Sequence, residues 1–293
     1  MSRIAYVNGQ YVPHLEAAVH VEDRGYQFAD GVYEVITLHG GRMVGEKGHM
    51  DRLDHSLGEL RIDWPMSRQA LSVVIGEVIR RNRVGDGFVY IQVTRGVARR
   101  DHPFPENPES SLVVTARRMP PIDKETLRQG VSVITIPDIR WKRHDIKSVS
   151  LLPNVLGKQQ AREAGAYEAW LVDDDGNVTE GTSSNAWIVT KDGELVTHNA
   201  SYAILNGITR LSVLEAADEA GIKFSERPFS VDEALEAKEA FITSSTSHLK
   251  AVTRIDGQSV GNGHVGELTG RMLDLYVDFI ENHGGPRHTG TWN

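Results

Sequence analysis

The sequence predicts two α+β domains built mostly of antiparallel strands, and three observations lead there. Apolar or alternating runs are separated by two-residue hairpin turns at Asn8-Gly9, Asp175-Gly176 and Asp192-Gly193. Helical spacing recurs between groups of strands rather than after every strand, as a doubly wound parallel sheet would require. The run Arg117-Arg118-Met119-Pro120-Pro121 breaks both patterns and reads as a linker. The expectation is a smaller domain over residues 1–119, a larger one over 120–283, and a disordered tail over 284–293.

In chain order, residues 4–7 and 11–12 flank the first hairpin turn, and residues 32–38 alternate as a strand ending at Gly40-Gly41. Met50, Leu53, Leu57 and Leu60 then recur at helical spacing, and a second helix is expected over 67–81. Strands at 88–95 and 112–116 enclose a polar, proline-bearing stretch at 96–110, at the limit of roughly 12–15 residues usual for a structureless loop. Loops of that length are commonly functional or disordered.

Beyond the linker, residues 131–136 form a strand and 154–164 a helix closed by Gly165. Short antiparallel strands follow at 169–172, 185–189 and 194–197. A helix over 209–220 ends at Gly221, and a capping box, Ser230 with Glu233, opens another over 231–237. A strand at 240–243 and a last helix at 265–282 complete the set, with no internal repeat.

Composition narrows the function classes. A net charge of -8 argues against nucleic acid or an anionic membrane as partner, since both favour clustered Lys and Arg. The absence of cysteine excludes disulfides, thiolate metal sites and cysteine nucleophiles. The twelve histidines form no His-Glu-x-x-His or comparable cluster, so no metal is expected, and His49 and His55 read as solvated helix residues. No run approaches the roughly 18 apolar residues needed to span a bilayer, and the first residues lack a signal-peptide core. A cytoplasmic protein is expected.

The chemistry concentrates in two segments, Asp145-Ile146-Lys147-Ser148 and Thr179-Glu180-Gly181-Thr182-Ser183-Ser184-Asn185. Lys147 stands between Ile146 and the apolar run at 149–152, whereas its rivals Lys142 and Lys158 have charged or polar neighbours. A lysine amine with a glutamate suits pyridoxal phosphate, which needs the amine as its Schiff-base partner and an acid to keep its ring nitrogen protonated. Gly207-Ile208-Thr209 opens a helix whose N–H groups suit a phosphate, and Ser244-Ser245-Thr246 offers hydroxyls after a strand. Taken singly, each of these segments also occurs in proteins that bind no anion.

Over nearly its whole length the chain resembles the class IV pyridoxal phosphate aminotransferases, and within them the D-amino acid branch. The resemblance implies fold type IV, with a barrel-like C-terminal domain carrying the Schiff-base lysine. It makes Lys147 the catalytic residue and cofactor anchor, and Glu180 the partner of the pyridine nitrogen. It makes Arg52 the phosphate clamp, and Ile208, Thr209, Ser245 and Thr246 further phosphate contacts. Arg100 and His102 of the long loop match the pair that grips a substrate carboxylate in the neighbouring subunit, which implies a homodimer. Tyr33 completes that trap, and period-two geometry sets Val35 and Thr37 on the same face as Tyr33.

The implied reaction moves an amino group between a D-amino acid of the D-alanine or D-glutamate type and a 2-oxo acid, 2-oxoglutarate or pyruvate, by a ping-pong route. Three alternatives share the fold: a branched-chain L-amino acid aminotransferase, an (R)-amine transaminase and an aminodeoxychorismate lyase. The Arg100/His102 pair is not the usual branched-chain pattern, and an amine without a carboxylate would give it no purpose. Outside this class, Gly261-Asn262-Gly263-His264-Val265-Gly266 matches a dinucleotide fingerprint, but no strand–helix–strand unit can follow it. A non-catalytic binding protein would not need Lys147 and Glu180 together.

Overall fold

Asn8 and Gly9 both take positive φ, 42° and 92°, the geometry a two-residue hairpin demands, and join β1 (Ile4–Val7) to β2 (Gln10–Pro13). The computed structural model describes residues 3–282 and 284–287, which separate into two units. The first takes the chain as far as Pro121, together with Ile146–Ser150 and a terminal strand, Gly284–Arg287. Its further elements are α1 (Arg24–Phe28), β3 (Gly31–His39), β4 (Arg42–Val44), α2 (Glu46–Leu60), α3 (Arg68–Asn82), β5 (Gly87–Thr94) and β6 (Ser111–Arg118).

Every described strand pair of this unit is antiparallel, in the order terminal strand, β4, β3, β5, β6, β1, β2. The core packs Val32, Ile36 and Leu38 of β3 and Val89, Ile91 and Val93 of β5 with Leu53 and Leu57 of α2 and Leu71, Ile75 and Ile79 of α3. Each such side chain contributes roughly 1.5–3 kcal/mol by leaving water. Ser67 caps α3, its hydroxyl accepting from the Ala70 N–H at 3.2 Å.

Three expectations change here. Arg117 and Arg118 are not linker residues, because they pair with Phe88 and Gly87 as the end of β6. Gly284–Arg287, expected as disordered tail, pairs with β4; residues 288–293 lie outside the described residues. Lys147, expected in the C-terminal domain, belongs with the first unit. Backbone bonds explain this: the Tyr33 N–H donates to the Lys147 carbonyl (3.0 Å) and the Val149 N–H to that of Gly31 (3.0 Å).

The second unit comprises Ile122–Asp145 and Leu151–Asn282. In order these are α4 (Lys124–Leu127), β7 (Val131–Pro137), α5 (Leu152–Glu163), β8 (Glu168–Val172), β9 (Val178–Gly181), β10 (Asn185–Val189), β11 (Leu195–Thr197) and α6 (Ile208–Glu219). They continue with β12 (Phe224–Glu226), α7 (Val231–Glu236), β13 (Glu239–Ser244), β14 (His248–Ile255), β15 (Gln258–Ser259) and α8 (Glu267–Asn282). The sheet runs β12, β11, β10, β13, β14, β7, β8, β9, with β15 beside β14.

This sheet is mixed: β11–β12, β14–β7 and β7–β8 are parallel, so the succession of hairpins read from the turns holds only in part. The β7–β8 and β11–β12 pairs arise where a helix, α5 or α6, returns the chain to the sheet, as a parallel connection requires. The capping box at Ser230 forms as its sequence implies, with the Glu233 N–H donating to the serine hydroxyl at 3.0 Å. Among the described residues no helix is long and apolar enough to cross a membrane.

Candidate active site

In the first unit, Lys147 is held by its backbone. Its carbonyl accepts from Tyr33, its N–H donates to the Ser56 hydroxyl at 3.1 Å, and Ser148 bridges to Val32. Ile146 is buried in the core, which fixes the segment from below. The half-buried lysine side chain then rises along β3, with Nζ 4.3 Å from the centre of the Tyr33 ring. Of its rivals, Lys158 is engaged, donating to the Tyr167 carbonyl at 2.6 Å beside Glu168, and Lys142 is exposed.

Beneath the Tyr33 face lies a cluster that sequence reasoning missed. Glu34 is fully buried and receives a paired bond from Arg52, Nε to Oε1 and Nη2 to Oε2, both at 2.8 Å. His49, expected to be solvated, is buried too, with Nδ1 2.7 Å from Glu34 Oε2. Burial pushes its pKa down, outweighing Glu34, while the charges of Arg52 and Lys147 add to the fall; neutral His49 therefore donates from Nδ1. The signal was present: in β3 the even positions Val32, Ile36 and Leu38 are core, and Glu34 is the charged residue among them. Glu34 thus fixes the plane of the Arg52 guanidinium.

Burial alone would raise the Glu34 pKa, but the charge and hydrogen bonds of Arg52, aided by His49, hold it at about 2 rather than 4.5. The folded value lies below the unfolded one, so the stabilisation, about 3 kcal/mol, is present above pH 4.5 and lost as pH falls toward 2. Urea midpoints measured across that window should fall steeply for the wild type and more gently for Glu34→Gln. Equal slopes would contradict the assignment.

The long loop is tied at its neck, where the Arg24 N–H donates to the Gly96 carbonyl (2.8 Å) and the Ala98 N–H to that of Glu22 (3.2 Å). Arg100 and His102 are exposed, and both contact the Phe28 ring, the guanidinium at 4.6 Å and the imidazole at 5.5 Å between centres. Tyr33 and Val35 alternate with core residues along β3, whereas Thr37, on the same face, is buried. Tyr33 stacks on Tyr90 at 5.8 Å, and burial raises the Tyr90 hydroxyl to about 12.

In the second unit Glu180, on β9, is buried and oriented by three groups. Arg140 pairs with Oε1, while the Asn185 amide (3.2 Å) and the Leu205 N–H (3.0 Å) donate to Oε2. Behind it Asp138 takes Arg140 at 2.7 Å and the Thr179 hydroxyl at 2.9 Å. Burial would raise Asp138, yet Arg140 holds it low; in turn Glu180 and Asp138 push the Arg140 pKa up against its burial. Sequence reasoning missed Asp138, Arg140 and Asn185. The hint was an opposite-charge pair two residues apart just past a strand, where a bend lets the Asp138 carboxylate take both the Arg140 N–H (3.1 Å) and its guanidinium.

The turn from β9 to β10 is pinned by buried Glu168, which accepts from the hydroxyls of Thr182, Ser183 (2.7 Å) and Ser184 (3.2 Å). This sets Glu180 and Asn185 on opposite sides of one fixed turn. Gly207 caps α6 without a side-chain bond, leaving the first N–H groups, at Ile208 and Thr209, to other acceptors. A Cβ at Gly207 would overlap Asn185 Oδ1, so glycine is needed where the helix start meets the Glu180 support. The Thr209 hydroxyl bonds buried Tyr276, whose own hydroxyl is raised by burial to about 12. Ser245 and Thr246 lie in the turn between β13 and β14, half-buried and exposed respectively.

Residues 31–255 match the model of the family described as Amino-transferase class IV. The chain is 46% identical over 263 residues to the D-alanine aminotransferase of Bacillus licheniformis, covering 89% of this chain and 92% of that one. It is 40% identical to the D-alanine aminotransferase of Listeria innocua, over 94% and 95% of the two chains. Among solved structures, the T.th. branched-chain amino acid aminotransferase with pyridoxamine 5'-phosphate superposes with a TM-score of 0.87 at 27% identity, covering 96% and 95%. The Escherichia coli branched-chain amino acid aminotransferase gives 0.88 at 24% identity with the same coverage, a likeness of fold. The chain belongs to the class IV aminotransferases and is an enzyme of that family.

Proposed function

We propose that this enzyme transfers an amino group between a D-amino acid, of the D-alanine or D-glutamate type, and a 2-oxo acid such as 2-oxoglutarate or pyruvate, with pyridoxal 5'-phosphate as cofactor. The observation that carries D-specificity is the Arg100/His102 pair, exposed on a loop whose neck is anchored. The identity to D-alanine aminotransferases over nine-tenths of the chain supports it and outweighs the lower identity to branched-chain enzymes.

The residues fit the cofactor's needs. Glu180 is a buried carboxylate with fixed orientation, suited to holding a proton at a ring nitrogen. An uncapped helix start at Ile208 and Thr209, Arg52 in a set plane, and the hydroxyls of Ser245 and Thr246 suit a phosphate. When bound, pyridoxal phosphate supplies the electron sink that makes the substrate α-proton labile. Lys147 would anchor the group through its amine and, with that amine free, would serve as the base that takes and holds the substrate α-proton. Tyr33 and Val35 wall the substrate, with buried Thr37 behind them on the same face, and Tyr33 completes the carboxylate grip.

Exposed Arg100 and His102 are given to the site of a second copy, so the working enzyme is a homodimer. The test is a half-reaction without acceptor, following the cofactor's absorbance with D-alanine, L-valine or a carboxylate-free amine. D-alanine alone should convert it. Conversion by L-valine alone would move the enzyme to the branched-chain activity, and by the amine alone to amine transamination.

A further inference from the structure

We propose that Arg24, backed by Asp30 and Arg95, is a positioning residue that fixes the loop carrying Arg100 and His102, and thereby sets affinity for the substrate carboxylate. The second clause rests on the carboxylate-trap reading above; the first stands on geometry alone.

Asp30 binds two guanidiniums at once. Arg24 Nε reaches Oδ2 at 2.8 Å, while Arg95 Nε reaches Oδ2 at 2.8 Å and Nη2 reaches Oδ1 at 3.0 Å. Arg24 and Arg95 are nearly fully buried, and one carboxylate for two cations leaves a surplus positive charge. The remaining donors find main-chain carbonyls. Arg95 turns to the C-terminal end of α2, bonding Leu60 O at 2.7 Å and Arg61 O at 2.8 Å, where the helix dipole favours a cation. Arg24 turns to the loop, with Nη1 to Asp101 O at 2.7 Å and Nη2 to His102 O at 3.3 Å. If the loop left, the Arg24 guanidinium would exchange two carbonyl acceptors for water, so the loop is held by a pair of charge-assisted bonds.

Two rings extend the hold. Phe104, beyond His102 in the loop, sits against Arg95 at 3.6 Å and Arg61 at 4.8 Å. Phe28 lies against Arg24 at 4.8 Å and Arg100 at 4.6 Å. Both flanks of the 100–102 segment are therefore fastened to the same buried cluster, and the trap is built before substrate arrives.

Arg24→Lys keeps a cation for Asp30 but loses the fork that spans two successive carbonyls. In the cofactor-loaded enzyme, the backbone amides of residues 97–102 and of Phe104 should exchange hydrogen faster. KM for D-alanine should rise about tenfold, the effect of losing charged hydrogen bonds, with kcat and cofactor affinity unchanged. Phe104→Ala, which removes an exposed ring and leaves the buried charges paired, should act in the same direction, and Phe104→Tyr should restore wild-type behaviour.

Arg100→Ala is measured alongside. Unchanged loop exchange in Arg24→Lys overturns the proposal. Faster exchange with unchanged KM, when Arg100→Ala raises KM, overturns the link to affinity. An Arg100→Ala enzyme with wild-type KM overturns the trap reading instead, and faster exchange in Arg24→Lys then still supports Arg24 as what holds the loop.

Discussion

Lys147→Ala should lower turnover of D-alanine by roughly 10⁴-fold or more, the upper range for removing a positioned proton-transfer group, with loss of the covalent anchor in addition. The backbone that holds residue 147 does not depend on the side chain: the bonds to Tyr33 and Ser56 are made by its carbonyl and N–H. The variant should therefore fold and still bind pyridoxal phosphate through the phosphate contacts. Borohydride should fix the cofactor covalently to the wild type and not to the variant. Activity within tenfold of wild type, or covalent fixation in Lys147→Ala, would transfer the role to another lysine. Lys158 is the poorer successor because its amine is already committed to the Tyr167 carbonyl.

Glu180→Gln tests the opposite end of the chemistry. An amide can still accept from the Leu205 N–H, but it cannot hold a proton on a ring nitrogen, so kcat should fall about 10²–10³-fold, as for loss of one preorganised electrostatic group. Stability should fall by about 1.5–3 kcal/mol, because Arg140 loses one charged hydrogen-bond partner but keeps Asp138. Glu180→Asp separates the two effects, since it restores charge near Arg140 while pulling the carboxylate back by a methylene. Single-turnover rates with D-alanine and thermal midpoints should move independently across the two variants. A Glu180→Gln enzyme whose single-turnover rate is near wild type would remove Glu180 from the cofactor's ring nitrogen.

What can be read from the sequence is what is encoded locally. Hairpin turns, the capping box at Ser230 and the glycine stops at Gly165 and Gly221 depend on a few neighbouring residues, and they appear where expected. β14, by contrast, escapes such reading, because Lys250, Thr253 and Arg254 interrupt its apolar pattern and its identity comes from pairing on both sides with β13 and β7. The parallel pairs are hidden for the same reason: nothing in a strand states the direction of its neighbour.

The candidate site divides along the same line. Lys147 and Glu180 stand in recognisable stretches, but Glu34 meets His49 and Arg52 15 and 18 positions away, and the Asp138–Arg140 pair acts on Thr179 and Glu180, 41 and 40 positions away. His49 looks solvated in the sequence because helical spacing places it without revealing that a glutamate on another element faces it. Arg24 and Asp30 both lie shortly before Tyr33 in the chain, yet their joint role appears only once Arg95 and the loop carbonyls surround them.

The alternation of β3 has a consequence for how such an enzyme diversifies. Its even-numbered side chains bind the core and the buried Glu34 cluster, while Tyr33 and Val35 point away from it. If Tyr33 and Val35 line the substrate as proposed, substitutions at positions 33 and 35 should change substrate preference with little loss of stability. A single-residue insertion or deletion within the strand would exchange the two sets and destroy both at once. Change on the proposed substrate face is thus compatible with the fold only by substitution, while the length of this strand is fixed by its register.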